Sequence, residues 1–307
     1  MTSPRTIGVI LAGGTGSRVG LSIPKQLLKI AGRPVIEHTL AIFQDADVID
    51  EIFIMMHPDH LAAAETIAAK FGKVSRVISG GGTRNDTSYA AIAALGEDAD
   101  PDTRLLFHDA VRPLLDTRII NDLVTALDDY DAVDVAIPSA DTIIEVNPKD
   151  EIVDIPDRSR LRRGQTPQAF RLDTLRRAYL IARKDPDFLP ADDCSVILKY
   201  LPDVPIAVVR GADHNMKITE PIDVFIADKL FQIGSTVAPA PTSVGEYRTR
   251  LAGKVMVVLG GSYGIGGDIV EMARGFGAEV RSFSRSQTGT DVSRPEDIVE
   301  ALADAHA

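Results

Sequence analysis

The residues best placed to do chemistry come early. A short apolar run, residues 7–12, breaks at Gly13-Gly14-Thr15-Gly16, and two fixed cations, Arg18 and Lys25, follow. Glycines there allow backbone angles closed to other residues and let an anionic ligand approach main-chain N–H groups. Pro24 stiffens the approach to Lys25. A buried strand, a glycine turn and two cations suit a nucleoside triphosphate. A Walker A loop is excluded because no Gly-Lys-Ser/Thr triplet occurs in this stretch. A dinucleotide fingerprint from Gly14 and Gly16 fails at its sixth position, which is Val19. An ordinary strand-to-helix turn would need only the glycines. Arg18 and Pro24-Lys25-Gln26 go beyond it.

Further candidates lie where strands should end. Residues 79–88, SGGGTRNDTS, close a strand with glycines, and Thr83 with Asp86 has capping-box spacing for a helix running to Leu95. Such a helix N-terminus can hold an anion or a base edge. Asp109 ends the strand 104–107, and a carboxylate at that end of a parallel strand faces the ligand crevice. It can serve as a cap or hold Mg²⁺, a hard cation that takes few protein ligands. Lys217 follows the strand 206–209, and Arg158, Arg160, Arg162 and Arg163 form a cationic cluster. His57 at a strand end is explained by Pro58, and Cys194 reads as core filler.

Leu11-Ala-Gly-Gly-Thr-Gly-Ser-Arg18 with Pro24-Lys25-Gln26 resembles the signature of the sugar- and polyol-phosphate cytidylyltransferases. His-Asp-Ala-x-Arg-Pro at 108–113, Thr-Pro-Gln at 166–168 and Asn-x-Lys-Ile-Thr-x-Pro-x-Asp at 215–223 resemble further segments of that family, across residues 5–233. The resemblance implies a Rossmann-like, doubly wound, mainly parallel α/β sheet with a protruding β-arm, and a homodimer built through the 139–170 arm. It implies CTP and a polyol phosphate as substrates. Leu11, Ala12, Gly13, Gly14, Gly16, Gly82, Arg84, Asn85 and Ser88 would then meet the nucleotide. Arg18, Lys25, Arg160 and Lys217 would be catalytic, Arg112, Thr142 and Thr166 would meet the acceptor, and Asp109 would hold Mg²⁺. Asp213 is in uncertain register with Lys217. The run Thr-Arg-Asn-x-Thr-Ser is similar to the branch acting on ribitol 5-phosphate, with methylerythritol phosphate as the alternative acceptor. A nucleotide sensor without turnover is the alternative of another class.

The elements that must position these residues follow in order. Helical spacing is read over 35–43, 61–71, 119–127 and 172–183, and strands over 49–56, 74–78 and 132–138. Residues 142–146 and 151–154 alternate around Asn147-Pro148-Lys149-Asp150 as a hairpin. Residues 1–234 read as one domain, and 235–252, rich in Pro, Ser and Thr, as a linker. Residues 253–307 restart with a strand, Gly260-Gly261-Ser262-Tyr263-Gly264-Ile265-Gly266 and a second strand at 278–283. That segment resembles the beginning of a short-chain dehydrogenase without the Tyr-x-x-x-Lys pair. A truncated βαβ segment leaves apolar faces uncovered, so poor order or packing on a neighbour is expected. A net charge of −11 argues against nucleic acid as a partner, and one cysteine among 307 residues suits a reducing cytoplasm. No apolar run is long enough to span a membrane.

Overall fold

The computed structural model describes residues 4–14, 24–188, 191–235 and 243–306. Two compact units result, Met1–Ser235 and Thr236–Ala307.

In the first unit the strands are β1 (Thr6–Ala12), β2 (Lys29–Ile30), β3 (Arg33–Pro34), β4 (Glu51–Met56), β5 (Val74–Ser79), β6 (Arg104–Asp109), β7 (Ala132–Pro138), β8 (Glu145–Val146), β9 (Ile152–Asp154), β10 (Arg162–Arg171) and β11 (Ile206–Arg210). The helices are α1 (Val35–Asp45), α2 (Leu61–Ala68), α3 (Arg84–Ala94), α4 (Thr117–Ala126), α5 (Leu172–Ala182), α6 (Asp193–Tyr200) and α7 (Pro221–Ser235). Seven strands form the main sheet in the order β11-β7-β10-β6-β1-β4-β5. All run parallel to their neighbours except β10, which is antiparallel to both β6 and β7. This is the expected Rossmann-like, mainly parallel sheet.

β1 and β6 are buried along their whole length, as apolar runs covered on both faces must be. One core face gathers Ile10, Phe43, Ile54 and Ile120, and the other Val9, Phe53, Phe107, Phe170 and Tyr179. β4 pairs with one side of β1 and β6 with the other, so the chain reverses its direction of sheet growth at β1. In open α/β sheets such a switch point opens a crevice at the carboxyl ends of the strands.

The expected hairpin is present as β8 and β9, paired antiparallel around Asn147, and every residue of both strands is exposed. β10 was not read from the sequence. Its Arg162, Arg163 and Gly164 are exposed while residues 165–170 are buried, so the strand lacks one continuous period.

In the second unit α8 (Val244–Leu251), β12 (Val255–Leu259), α9 (Gly264–Gly275), β13 (Glu279–Phe283) and α10 (Pro295–His306) follow one another. The expected linker is therefore corrected: Ser243 caps α8 by accepting from the Glu246 N–H at 3.2 Å, and Tyr247 stacks on Phe276. The two strands pair in parallel over a small core of Val258, Val270, Ala273, Ala278 and Val280. Poor order is thus not what the structure gives. Ile265, Ile269, Met272 and Val299 are nevertheless exposed, as expected for so short a βαβ segment. No helix among the described residues is long and apolar enough to cross a membrane.

Candidate active site

A cavity of about 420 Å³ opens where the parallel strands of the first unit end. Leu11 and Ala12 at the end of β1, with Gly13 and Gly14 after it, form one wall. Gly81, Gly82, Thr83, Arg84 and Thr87 form a second, and Asp109, Val111, Lys25, Gln26 and Lys217 complete it. Leu11 and Asp109 are register partners on β1 and β6, so the switch point itself places the carboxylate beside the glycine turn.

Local chemistry fixes each wall. Gln26, almost fully buried, donates from Nε2 to the carbonyls of Ala12 at 2.7 Å and Gly14 at 3.2 Å, tying the turn before β2 to the glycine loop. The expected capping box on α3 is present: Asp86 N–H donates to Thr83 Oγ1, and Thr83 N–H to Asp86 Oδ2, both at 3.1 Å. Thr87 Oγ1 accepts from the Gly81 N–H at 3.0 Å. Gly81 must be glycine, because a Cβ there would collide with Asp86. The amino end of α3 is thereby presented to the cavity.

The charges are arranged in pairs. Lys217 Nζ lies 3.0 Å from Asp109 Oδ2, and Lys25 Nζ donates to the Thr219 carbonyl at 2.9 Å. Thr219 is itself held by Asp223, whose Oδ2 accepts from the Thr219 N–H at 2.7 Å and its hydroxyl at 2.8 Å. One short segment therefore carries Lys217 and steadies Lys25. Burial pushes the Asp109 carboxyl up, but Lys217, Arg84 and Arg112 outweigh it and hold the group at about 2, so it is ionised at neutral pH. Three cations, Lys25, Arg84 and Lys217, face the cavity against one carboxylate, in a chain whose net charge is −11. Such a pocket attracts a polyanion locally. Among the described residues no cluster of three His, Cys, Asp or Glu side chains could hold a metal. One hard oxygen donor in the wall, Asp109, is what Mg²⁺ needs from a protein when phosphates and water supply its other ligands.

Several expected site residues stand elsewhere. Arg18 and Gly16 lie outside the described residues. Asn85 and Ser88 are buried and are not among the residues that line the cavity. Arg112 is also buried: its Nε is 3.4 Å from Asp109 Oδ2 and its Nη1 donates to the Asn215 carbonyl at 2.8 Å. Thr166 is buried behind Asp109, accepting from the Asp109 N–H at 3.2 Å and lying 2.9 Å from His108 Nδ1. Both contact Asp109. Thr142 and Arg160 are exposed on the arm, not in the cavity wall of their own chain. Asp213 is exposed and lies 3.8 Å from Arg163, apart from Lys217. His108 is fully buried and pushed down to about 4 by that burial, so it is neutral at pH 7, with both ring nitrogens engaged. Gln26 and Thr87 also line the cavity, although the sequence motifs assign neither a role. The capping-box register, which puts Thr87 on the cavity side of α3, was the signal available.

A family model described as IspD, 2-C-methyl-D-erythritol 4-phosphate cytidylyltransferase, matches residues 6–232. The chain belongs to this family. Over 310 aligned residues, covering all of this chain, it is 46% identical to the bifunctional ribulose 5-phosphate reductase/CDP-ribitol pyrophosphorylase of Haemophilus influenzae. The chain spans 65% of the length of that relative. It is 44% identical to the 2-C-methyl-D-erythritol 4-phosphate cytidylyltransferase of Thermobifida fusca, over 75% of this chain and 95% of that protein. It is 35% identical to the ribitol-5-phosphate cytidylyltransferase of Lactiplantibacillus plantarum, over 73% of this chain and 97% of that protein. Among solved structures, 4-diphosphocytidyl-2C-methyl-D-erythritol synthase from Anaerococcus prevotii aligns with a TM-score of 0.67 at 25% identity, covering 75% of this chain and 96% of that one.

Proposed function

We propose that this chain transfers the cytidylyl group of CTP to D-ribitol 5-phosphate, giving CDP-ribitol and pyrophosphate. The observation that carries the choice of acceptor is the full-length match. The relative named for CDP-ribitol formation aligns with both units, whereas the methylerythritol-phosphate enzyme of Thermobifida fusca aligns over 75% of the chain. The segment Thr83-Arg84-Asn85-Asp86-Thr87-Ser88 points the same way.

The acceptor's phosphate oxygen attacks the α-phosphorus of CTP, a new P–O bond forms, and the bond to the β-phosphate breaks to release pyrophosphate. A phosphate monoester is largely ionised at neutral pH, its second pKa being about 6, so no general base is needed. That fits a site whose nearby histidine, His108, is buried and neutral. The residues contribute position and charge. The glycine turn and the start of α3 receive the nucleotide. Lys25, and Arg18 by family resemblance, stabilise charge on the triphosphate. Asp109 is the residue that would hold Mg²⁺, which when bound would draw charge from the triphosphate oxygens. Lys217 would exchange its contact with Asp109 for the incoming phosphate. We further read the exposed 139–170 arm as the contact of a homodimer, with Arg160 and Thr142 on it, and residues 253–307 as the opening of a reductase.

The test is pyrophosphate release from CTP and Mg²⁺ with each acceptor in turn. Ribitol 5-phosphate should be used at least about ten times more efficiently than 2-C-methyl-D-erythritol 4-phosphate, since discrimination by polar contacts to hydroxyls is large. The reverse order would overturn the acceptor assignment, and no release with either would overturn the transferase reading.

A further inference from the structure

Asp193 has no place in the reaction just described, yet it is the most deeply buried carboxylate near the cavity. Its side chain is 0% exposed, and its two oxygens are divided between two partners from different helices. Oδ2 accepts from Arg84 Nη1 at 2.6 Å, and Oδ1 accepts from the Tyr179 hydroxyl at 2.6 Å. With both oxygens engaged, the carboxylate presents no free acceptor to a ligand. Arg84, by contrast, is partly exposed and that exposure is in the cavity wall.

Arg84 needs such a partner. It is the first residue of α3, where the partial positive charge of the helix end disfavours a cation. Burial disfavours its charge as well, and Asp193 is the foremost influence favouring it. Asp193 is itself the first residue of α6, where the same dipole favours an anion. A purely structural tie between these helices would be served as well by an apolar contact, because burying an ion pair brings little net stability. An ion pair with one end wholly buried and the other in the cavity serves to aim that exposed end.

We infer that Asp193, steadied by Tyr179, is the positioning residue that holds the Arg84 guanidinium in the nucleotide half of the cavity and so sets affinity for CTP. This rests on the reading of the cavity as a CTP site. Lys217, read above as meeting the acceptor, pairs with Asp109 rather than Asp193, so acceptor binding should be the less sensitive of the two.

The experiment is a double-mutant cycle on CTP binding by titration calorimetry, with steady-state KM for both substrates. Asp193→Asn and Arg84→Met should each weaken CTP about 10-fold or more, within the range of coupled neighbours. The double variant should bind CTP no worse than Arg84→Met alone, and KM for ribitol 5-phosphate should stay within about threefold in Asp193→Asn. Additive losses, unchanged CTP affinity in Asp193→Asn, or equal shifts in both KM values would overturn the assignment. If Asp193→Asn does not fold, Tyr179→Phe removes one hydroxyl and keeps the ring packing. It should weaken CTP about threefold, near the low end of the net worth of one hydrogen bond, and no change would be equally decisive against the assignment. Wild-type protein that binds no CTP would overturn the functional reading, and this inference with it, whereas wild-type binding with additive losses removes this inference alone.

Discussion

Asp134 on β7 should weaken the fold at neutral pH, and replacing it with asparagine should strengthen it. Its Oδ1 accepts from Gln168 Nε2 at 3.1 Å and from the Val135 N–H at 2.9 Å. The same Gln168 nitrogen donates to Asp192 Oδ2 at 2.9 Å, which brings a second carboxylate close. Burial foremost, and then Asp192, push the Asp134 carboxyl up from 3.8 to about 6 against the opposing pull of its hydrogen bonds. The folded-state value lies above the unfolded one, so below about pH 4 both states hold the proton and nothing is lost. Between about pH 4 and 6 the unfolded chain releases its proton first, so stability falls as pH rises, and above about 6 the full penalty applies. Two units at about 1.4 kcal/mol each set a ceiling of about 3 kcal/mol. Partial solvent access reduces this to about 1–2 kcal/mol. Asp134→Asn keeps an oxygen for Gln168 and Val135 and removes the charge. At about 2–4 °C per kcal/mol for a unit of this size, Tm at pH 7.5 should rise by about 2–8 °C. Thermal unfolding followed by circular dichroism at pH 7.5 and at pH 4 reads both arms. A variant no more stable than wild type at pH 7.5, or one with the same gain at pH 4, would refute the reasoning.

Other perturbations act on turnover. Lys25→Ala should lower kcat by about 10²–10³, the loss typical of one preorganised charge stabiliser, with Tm little changed, and near-normal turnover in the folded variant would reject the role. Asp109→Asn should cost about as much and should abolish the response of the rate to added Mg²⁺; a variant that keeps the same Mg²⁺ titration curve would show the metal is held elsewhere. A chain ending at Ser235 should transfer cytidylyl at the wild-type rate, while the 307-residue chain should not oxidise NADPH with ribulose 5-phosphate. Spectrophotometric detection of such oxidation would show that residues 253–307 do not need a Tyr-x-x-x-Lys pair, which they lack, for reduction.

Local signals were legible from the chain alone. The strands read at 132–138 and 206–209, the helix starts at Val35 and Leu172, and the capping box of Thr83 and Asp86 all depend on residues within one or two turns of each other. The structure brings the glycine break after β1, Lys25, Arg84, Asp109 and Lys217 together at one cavity, because strand ends in a parallel sheet share an edge. Tertiary structure alone decided what faces what. Asn85 and Ser88 belong to the same motif as Arg84 and both are buried; Asn85, the next residue on the helix, is turned from Arg84 by about 100°. Arg112 and Thr166 have the types and places of ligand-binding residues, yet β10 runs antiparallel beside β6 and brings Thr166 up behind Asp109, where both are engaged by protein partners. Asp193 meets Arg84 across 109 residues and Gln26 meets Ala12 across a turn. Periodicity names the buried face of an element. Only the order and direction of the strands determine which element lies opposite it.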